Sequence, residues 1–382
     1  MKREKICLLV ESNYPPNAMG GPSTVHLNLQ KKLVELGYQV YILNYVKTNH
    51  LFNILKFQIF KIYSGIHILN SDYDIVITPL WQYQNFSRYI LRYFVKKPYL
   101  LIVHGSDFFQ SLYPKLIQEG FIFKSYAYFL AGSLKTIIDG SCGIISTEEI
   151  FNYMNSLNVD KKKYRPLNFL YDEKFFDSID LGSPWEKDNK FHILFYGRFY
   201  ENKGILYLIK AIPKIIKHSN KVKFHLVGNG PQKEEAIKFV NQNNLSSYVD
   251  FYDYIAHDKI KSFILAADCV VNPITWGAGI GTVSNEVLSE KKPLILGNAN
   301  ITVNNLYQTY KSYLVVKTYD SNDIADKVIM LMDNPELVQN LKQNIEKFIN
   351  NEFNDEIIRK KLKNIIEESI IYYKKNIVHT LK

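Results

Sequence analysis

Short apolar runs alternate with amphipathic stretches along most of the chain, and this alternation limits the fold more than any other feature. The runs are rich in Val, Ile and Leu and do not alternate strictly with polar residues, which is typical of strands buried on both faces. The intervening stretches 23–37 and 204–218 have helical periodicity, with Ser23 as the expected N-cap and Gly37 as the expected C-terminal stop of the first. Repeated strand–helix–strand order predicts α/β domains with parallel sheets. The clearest runs are KICLLV (5–10), YQVYIL (38–43), YDIVIT (73–78), PYLLIVH (98–104), FHILFYG (191–197), KFHLVG (223–228), DCVVNP (268–273) and KPLILG (292–297).

The length of the chain predicts two domains. Its 382 residues exceed what one hydrophobic core usually supports. The polar segment LGSPWEKDNK (181–190) interrupts the pattern before a new strand begins. We therefore expect an N-terminal domain over 1–180 and a C-terminal domain over 181–355. The helical tail 356–382 is expected to pack back towards the N-terminal domain.

The cysteines and the apolar runs exclude several classes of protein. Cys7, Cys142 and Cys269 are scattered singly, and no His/Cys spacing suits zinc, so no zinc site is expected. No other cofactor is expected either. The first apolar run ends at Glu11 and is too short for a signal peptide. No run reaches the roughly 18 residues needed to cross a bilayer. The sequence predicts a cytoplasmic protein.

The N-terminal third carries most of the net charge of +10. Residues 1–135 contain 15 Lys or Arg and 7 Asp or Glu, which favours an anionic partner such as a membrane lipid or a diphosphate. The segment NHLFNILKFQIFKIY (49–63) mixes aromatic residues with single lysines. Two interpretations stay open, a partly buried helix or a patch that contacts the inner face of the cell membrane. No nucleic-acid-binding motif accompanies the charge, so no nucleic acid partner is expected.

Candidate ligand-binding residues follow the strands, because ligands bind at the carboxyl ends of strands in parallel sheets. After the first strand, Gly20 and Gly21 precede a helix, where backbone N–H groups favour a phosphate or sugar oxygens. After the run 98–104, His104 and Asp107 are placed to point into a cleft.

Two cations follow the strand at 191–197. Gly197 is followed by Arg198 and, after a short turn, by Lys203 at the start of a helix. Arginine binds phosphate oxygens in a bidentate manner and lysine adds a point charge, so the pair indicates a diphosphate site. After the next strand, Gly228 begins the sequence GNGP. Lys233 stands where a dinucleotide-binding fingerprint would have its third glycine, which disfavours NAD or FAD.

A glycine-rich loop follows the run 268–273. Closely spaced glycines at the start of a helix indicate that backbone N–H groups hold an anion. Glu286 lies about one turn into that helix and could accept two ribose hydroxyls. The candidate ligand-binding residues of this loop are Gly279, Ile280, Gly281 and Thr282.

These motifs together resemble the family-4 retaining glycosyltransferases. That family has the GT-B fold, two facing Rossmann-like domains with a cleft between them. The resemblance spans most of the chain. It rests on PPNAMGG (15–21), YRPLNFLYDEKFF (164–176), ILFYGRFYENKG (193–204), LVGNGP (226–231), AADCVVNP (266–273) and GAGIGTVSNEVLSEKKPLIL (277–296).

The resemblance implies a role for each candidate residue. Arg198 and Lys203 would bind the diphosphate of a nucleotide-sugar donor, and Glu286 the nucleotide ribose. His104 would lie over the transferred sugar, and Tyr254 near the base. Gly20 and Gly21 would lie near donor and acceptor, and residues 279–282 under the sugar and phosphate. The implied reaction transfers the sugar to a hydroxyl with retention of configuration and without an essential metal, in surface polysaccharide (capsule, O-antigen) or glycolipid synthesis. The acceptor would be a sugar or a lipid-diphosphate-linked sugar.

Two departures from the family pattern leave alternatives open. Ala278 stands where the family usually has a first Glu, and Asn168-Phe169-Leu170-Tyr171 replaces its NGVD segment. Ala278 is compatible with an unusual donor sugar, with substitution by another group, or with lost activity. The alternative function is a non-catalytic nucleotide-sugar-binding or partner subunit of the same fold.

Overall fold

The computed structural model describes two compact units. Unit 1 comprises Met1–Leu170 and Asp355–Lys382, and unit 2 comprises Tyr171–Asn354. The first division therefore lies earlier than the boundary expected at 180, and the last helix is assigned to unit 1. The described residues are 4–10, 21–44, 59–60, 63–64, 66–68, 70–80, 97–103, 132, 134–154, 158–167, 182–186, 188–253, 255–275, 281–299 and 301–377.

Unit 1 is built on a parallel sheet with the strand order β2-β1-β3-β4-β5-β6. Its strands are β1 (Lys5–Val10), β2 (Gln39–Asn44), β3 (Ile75–Pro79), β4 (Tyr99–Ile102), β5 (Gly143–Ser146) and β6 (Tyr164–Pro166). β1 lies between β2 and β3 and pairs with both of them. The chain therefore adds β2 on one side of β1 and the later strands on the other side. Labelled helices of this unit are α1 (Gly21–Glu35), α2 (Glu148–Tyr153) and, at the end of the chain, α10 (Asp355–Tyr372).

Unit 2 contains a second parallel sheet, ordered β12-β11-β10-β7-β8-β9. Its strands are β7 (Phe191–Tyr196), β8 (Val222–Val227), β9 (Val249–Tyr252), β10 (Cys269–Asn272), β11 (Leu294–Gly297) and β12 (Leu314–Val316). Its helices are α3 (Ile205–His218), α4 (Lys233–Gln242), α5 (His257–Ala266), α6 (Gly281–Ser289), α7 (Ile301–Tyr310), α8 (Ser321–Asp333) and α9 (Pro335–Phe348). The predicted fold class, two parallel α/β units, is confirmed.

The C-terminal end of α1 lies where the sequence predicts it, and the N-terminal end does not. Gly37 has a left-handed φ of +89° and ends the helix. The amide of Tyr38 donates to the carbonyl of Leu33, and that of Gly37 to the carbonyl of Val34, so a Schellman motif satisfies the last carbonyls. The predicted N-cap at Ser23 is wrong, since the helix already begins at Gly21 and Ser23 lies in its first turn.

The core of unit 1 includes residues from both ends of the sequence. Leu362, Ile365 and Ile366 of α10 are buried in the same cluster as the strand residues Ile75 and Leu100. Burial of such side chains contributes roughly 1.5–3 kcal/mol each. Two ion pairs join α10 to earlier elements, Lys32 with Asp355 and Arg165 with Glu368. Unit 1 therefore needs its last helix to complete its core.

A buried polar chain crosses the sheet of unit 2. The Nδ1 of His192 lies 2.9 Å from the Nε2 of His225, whose Nδ1 lies 3.2 Å from the hydroxyl of Tyr252. At the other end, Asp188 lies 2.9 Å from the Nε2 of His192. Trp185, in the segment that the sequence marks as a break, stacks on His225 with ring centroids 3.7 Å apart. The segment is therefore packed against unit 2 and covers this chain.

Candidate functional site

The sheet of unit 2 has one topological switch point, between β7 and β10. These strands are neighbours, and the chain leaves β7 towards β8 on one side and β10 towards β11 on the other. Loops that leave two such strands in opposite directions open a crevice at the carboxyl ends of the strands, where ligands bind in sheets of this type. The loop with Arg198 and Lys203 follows β7, and α6 with Glu286 follows β10. The predicted site residues of this unit therefore flank the switch point.

Arg198 and Lys203 are brought close together after β7. Burial lowers the pKa of Lys203, and the positive charge of Arg198 lowers that pKa further. Within the described residues, neither side chain forms an ion pair with an acid. The exposed guanidinium of Arg198 lies 5.0 Å from the ring centroid of Tyr200. Two neighbouring cations, one half-buried, are costly unless an anion joins them.

The loop that carries these cations is fixed against the end of β10. The amide of Thr275 donates to the carbonyl of Asn202 at 3.1 Å. Gly204, with φ +72°, is the N-cap of α3, and a Cβ added there would lie 2.0 Å from the carbonyl oxygen of Pro273. Only glycine fits this close approach, so the position of Lys203 is set by backbone packing on both sides of the switch point.

Gly228 supports the same loop from the β8 side. Its φ is +142°, and an added Cβ would lie 1.9 Å from the carbonyl oxygen of Gly197. The amide of Phe199 donates to the carbonyl of Asn229 at 2.9 Å. The glycines of GNGP are thus explained by tight packing beneath the cation loop. The structure gives this packing reason for Gly228, whereas the sequence motivates it as a ligand-binding residue.

Glu286 is buried in α6 and is held by the last residue of β7. Its side chain is 6% exposed, and its Oε2 accepts a hydrogen bond of 2.8 Å from the hydroxyl of Tyr196. Asn272, the last residue of β10, donates to the hydroxyl of Ser284 at 3.0 Å. Each strand at the switch point therefore extends one polar side chain to α6.

Only some of the remaining predicted residues lie in the described part of the chain. Gly281 and Thr282 are the first two residues of α6, where free backbone N–H groups favour an anion, and Gly21 is the first residue of α1. The other predicted residues lie outside the described ones: Gly20, His104, Asp107, Tyr254, Gly279 and Ile280. Ala278 lies outside them as well. Among the described residues, no group of three or more His, Cys, Asp and Glu side chains is arranged to hold a metal ion.

Sequence reasoning missed the polar residues that support the predicted ones. Tyr196 and Asn272 are the last residues of β7 and β10, where a polar atom lies at the ligand edge of the sheet. That position is the signal that could have identified them. Asn285 gave no such signal, although its Oδ1 is buried without a hydrogen-bond donor among the described residues. Sequence reasoning selected the neighbouring residue Glu286 instead, because that residue is charged.

Comparisons with known proteins agree with this arrangement. Residues 181–348 match the model of the family described as glycosyl transferases group 1. An alpha-D-kanosaminyltransferase of Streptomyces kanamyceticus is 26% identical over 184 residues, which cover 47% of this chain and 47% of that protein. The match thus spans about half the length of that relative.

Two solved structures resemble the chain over nearly its whole length. One is HepE of Anabaena in complex with UDP, with a TM-score of 0.71, 13% identity, and coverage of 95% of this chain and 99% of that one. The other is WaaG, a glycosyltransferase involved in lipopolysaccharide biosynthesis, with a TM-score of 0.65, 13% identity, and coverage of 94% and 99%. At these identities the likeness concerns the fold, which is that of GT-B glycosyltransferases.

Proposed function

We propose, because residues 181–348 match the model of the glycosyl transferases group 1 family, that the chain transfers a sugar from a nucleotide-diphosphate sugar to an acceptor hydroxyl. The observation that carries this proposal is the pair Arg198 and Lys203. Both cations lie at the switch point of unit 2, and they face no acidic partner among the described residues. Each would therefore stabilise a diphosphate bound there.

The chemistry of the reaction explains why such a pair is useful. When the bond from the sugar to the diphosphate breaks, negative charge grows on the oxygen that leaves. Fixed cations and a helix N-terminus stabilise this charge more in the transition state than in the ground state. The burial that lowers the pKa of Lys203 also strengthens its attraction to an anion. We propose that no essential metal is needed, because these groups supply the positive charge.

The finer roles remain those implied by the family resemblance. We propose that Glu286 accepts hydrogen bonds from the nucleotide ribose and that Gly281 and Thr282 hold a phosphate at the start of α6. For residues outside the described ones we propose the contacts that the resemblance implies. His104 would contact the transferred sugar, Tyr254 the base, Gly279 and Ile280 the sugar and phosphate, and Gly20 would lie near donor and acceptor. Retention of configuration belongs to this set of proposals.

The physiological acceptor is proposed on broader grounds. WaaG acts in lipopolysaccharide biosynthesis, and the N-terminal third of this chain is basic. Both favour a sugar or lipid-diphosphate-linked acceptor used in surface polysaccharide or glycolipid assembly at the cytoplasmic face of a membrane. Among the described residues, no helix is long and apolar enough to cross a bilayer.

Peripheral membrane contact is supported by three apolar residues of unit 1. Ile59, Tyr63 and Ile66 are each helical and are 57%, 57% and 50% exposed, and they lie within eight residues of one another in the sequence. We expect the protein to sediment with vesicles that contain anionic lipid. Replacement of all three residues by Ser should reduce this binding, whereas equal binding of the variant would contradict the proposed patch. Ser replacement of Ile371, also 51% exposed, is the matched control.

The decisive experiment is a calorimetric binding series with UDP, GDP and ADP and their common sugars in the presence of EDTA. One diphosphate should bind saturably, and Arg198→Ala should weaken that binding at least tenfold while the fold is retained. Such a change corresponds to about 1.4 kcal/mol or more, the size expected for a hydrogen bond to a charged group. Binding that requires a divalent metal would contradict the metal-free proposal.

The main alternative is a non-catalytic nucleotide-sugar-binding or partner subunit, which Ala278 favours. Its signature would be saturable binding of a nucleotide sugar without release of the nucleoside diphosphate, even in the presence of varied acceptor sugars. Absence of binding to every diphosphate would contradict the proposed transferase and would favour a non-catalytic partner subunit, with Ala278 as the first residue to explain.

A further inference from the structure

Tyr196 joins the last position of β7 to the carboxylate of α6. Its hydroxyl lies 2.8 Å from the Oε2 of Glu286 and 3.0 Å from the carbonyl oxygen of Val283, and the tyrosine is 8% exposed. Tyr196 precedes Gly197 and Arg198 in the chain. The residue therefore connects the strand that carries the cation loop to the helix that carries the proposed ribose-binding acid.

The two contacts of the Tyr196 hydroxyl are not equivalent. A phenol has one hydrogen to donate, and both nearby oxygens of α6 are acceptors. A hydrogen bond to a carboxylate is about twice as strong as one to a neutral carbonyl. The Tyr196 hydroxyl therefore donates mainly to Glu286. One carboxylate oxygen of Glu286 is thus held by a side chain that is itself packed at the carboxyl edge of the sheet.

A carboxylate needs such support to bind a ribose well. A flexible acid loses rotational freedom when it binds a hydroxyl, whereas an acid already held in its bound orientation loses little. Asn272 bonds to Ser284 in the first turn of α6 and does not reach the carboxylate. Of the two strand residues that contact α6 here, Tyr196 is the one that acts on the acid itself.

We infer that Tyr196 is a positioning residue that orients Glu286 towards the hydroxyls of the nucleotide ribose. The inference rests on the proposed function, since it assumes a nucleoside diphosphate at the switch point. It adds a specificity device: the preference of the protein for ribose over deoxyribose depends on a tyrosine that does not touch the ligand.

The test measures the dissociation constants of a nucleoside diphosphate and of its 2′-deoxy and 3′-deoxy forms. The probe is UDP, GDP or ADP, whichever binds the wild-type protein most tightly. We expect the wild type to bind at least one deoxy form about tenfold or more weakly, the cost of one lost hydrogen bond to a charged group. Tyr196→Phe should bind the ribose form more weakly than the wild type does. The ratio of its deoxy to ribose dissociation constants should be close to one.

This ratio separates positioning from a structural role. A general loosening of unit 2 weakens ribose and deoxyribose forms alike and leaves the ratio unchanged. The matched control is Tyr313→Phe, which removes a buried hydroxyl that donates to the carbonyl of Val303 at 2.7 Å. Tyr313 directly precedes β12, the edge strand of the sheet, and lies away from the switch point. Tyr313→Phe should keep the wild-type ratio.

A double-mutant cycle tests whether Tyr196 acts through Glu286. In a Glu286→Gln background, Tyr196→Phe should change the affinity for the ribose form by less than twofold, because the positioned acid is already gone. Additive effects of the two changes would overturn the inference. So would a full wild-type ratio in Tyr196→Phe, which would leave Tyr196 only as an anchor of α6 through Val283.

The outcomes also distinguish this inference from the proposed function. If the wild type binds a diphosphate but does not discriminate between ribose and deoxyribose, the inference fails and the diphosphate site stands. If the wild type binds no nucleoside diphosphate, the proposed function fails and takes the inference with it.

Discussion

Unit 2 buries ionisable side chains in two ways. Glu286 has the hydroxyl of Tyr196 as a partner, and His225 lies between His192 and Tyr252. Lys203 differs, because its described neighbourhood offers Arg198, a second cation, and no acid. A half-buried cation with no acid among its described neighbours is suited to the proposed binding of an anionic ligand.

Removal of the Lys203 charge should weaken ligand binding without loss of stability. In Lys203→Met we expect the affinity for the diphosphate to fall about 10-fold to 100-fold, since a charged hydrogen bond is lost. The free energy of unfolding in urea should stay equal or rise, because a half-buried cation beside Arg198 is removed. Lys214→Met, which removes a surface lysine paired with Asp326 on α3 and α8, is the control and should leave affinity unchanged. A destabilised Lys203→Met protein would show that the charge has a structural partner.

Acid should destabilise unit 2 through His225. Burial and the neighbouring His192 lower its pKa to about 4 from an ordinary value of 6.5. His225 is therefore neutral in the folded protein at pH 7. As the pH falls from 6.5 to 4, the unfolded chain takes up a proton that the folded protein does not, so the free energy of unfolding decreases, by about 2 kcal/mol.

The pH dependence can be assigned with one substitution. His225→Phe retains a ring against Trp185 but cannot titrate, and urea unfolding between pH 6.5 and 4 should show a smaller loss of stability than in the wild type. An unchanged slope would assign the effect to other groups. The variant should be less stable at pH 7, because it also loses the contacts with His192 and Tyr252.

At the scale of elements, the longer apolar runs predicted strands well and the shortest strands were missed. The run 5–10 coincides with β1, and the helix expected at 204–218 is observed at Ile205–His218. Strands β6 and β12 have three residues each, too few to form a recognisable apolar run. β5 was missed although the predicted strands β4, β10 and β11 also have four residues. β6 also contains Pro166, and it is the last strand of its sheet, where proline is tolerated.

The site could be predicted in part for the same reason. Charged and glycine-rich segments after strands are visible in the sequence, so Arg198, Lys203 and Glu286 could be selected. Which of them touch depends on the strand order, and a crossover from β9 to β10 returns the chain to the neighbour of β7. Local patterns do not contain this return, and the contact of Tyr196 with Glu286 spans 90 residues of sequence.

The last helix should matter to unit 1 through its buried face. In α10, Leu362 is 0% exposed and Ile371 is 51% exposed. We expect Leu362→Ala to reduce the free energy of unfolding by about 2–5 kcal/mol, because it opens a cavity in the core that β3 and β4 share. Ile371→Ala, on the exposed face of the same helix, should change stability by less than about 0.5 kcal/mol. Equal effects in chemical unfolding would mean that α10 does not belong to this core.

At the scale of the whole molecule, the chain forms two units with separate hydrophobic cores. One core gathers β7, β8 and β10 with α3, and the other gathers β1, β3 and β4 with α10. All residues proposed to bind the nucleotide in the described part of the chain, apart from Gly21, belong to unit 2. The stability gained from a nucleotide should therefore be confined to unit 2.

Hydrogen exchange measured by mass spectrometry can test this confinement. At a nucleoside diphosphate concentration of about 100 times its dissociation constant, global opening of unit 2 should become about 100-fold rarer. Peptides from β7, β8 and β10 should exchange more slowly by that factor, and peptides from β1, β3 and β4 should be unchanged. Equal slowing in both sets would show that the two units open together.

The discontinuous sequence of unit 1 has a consequence for the order of events during synthesis. Unit 2 lies entirely between two parts of unit 1, and all of its strands leave the ribosome before α10 does. Unit 2 can therefore fold as soon as it emerges, whereas unit 1 must wait, with the surface that will contact Leu362, Ile365 and Ile366 uncovered. The half of the protein that is made first is the half that is finished last, and in that interval chaperones would find their target on unit 1.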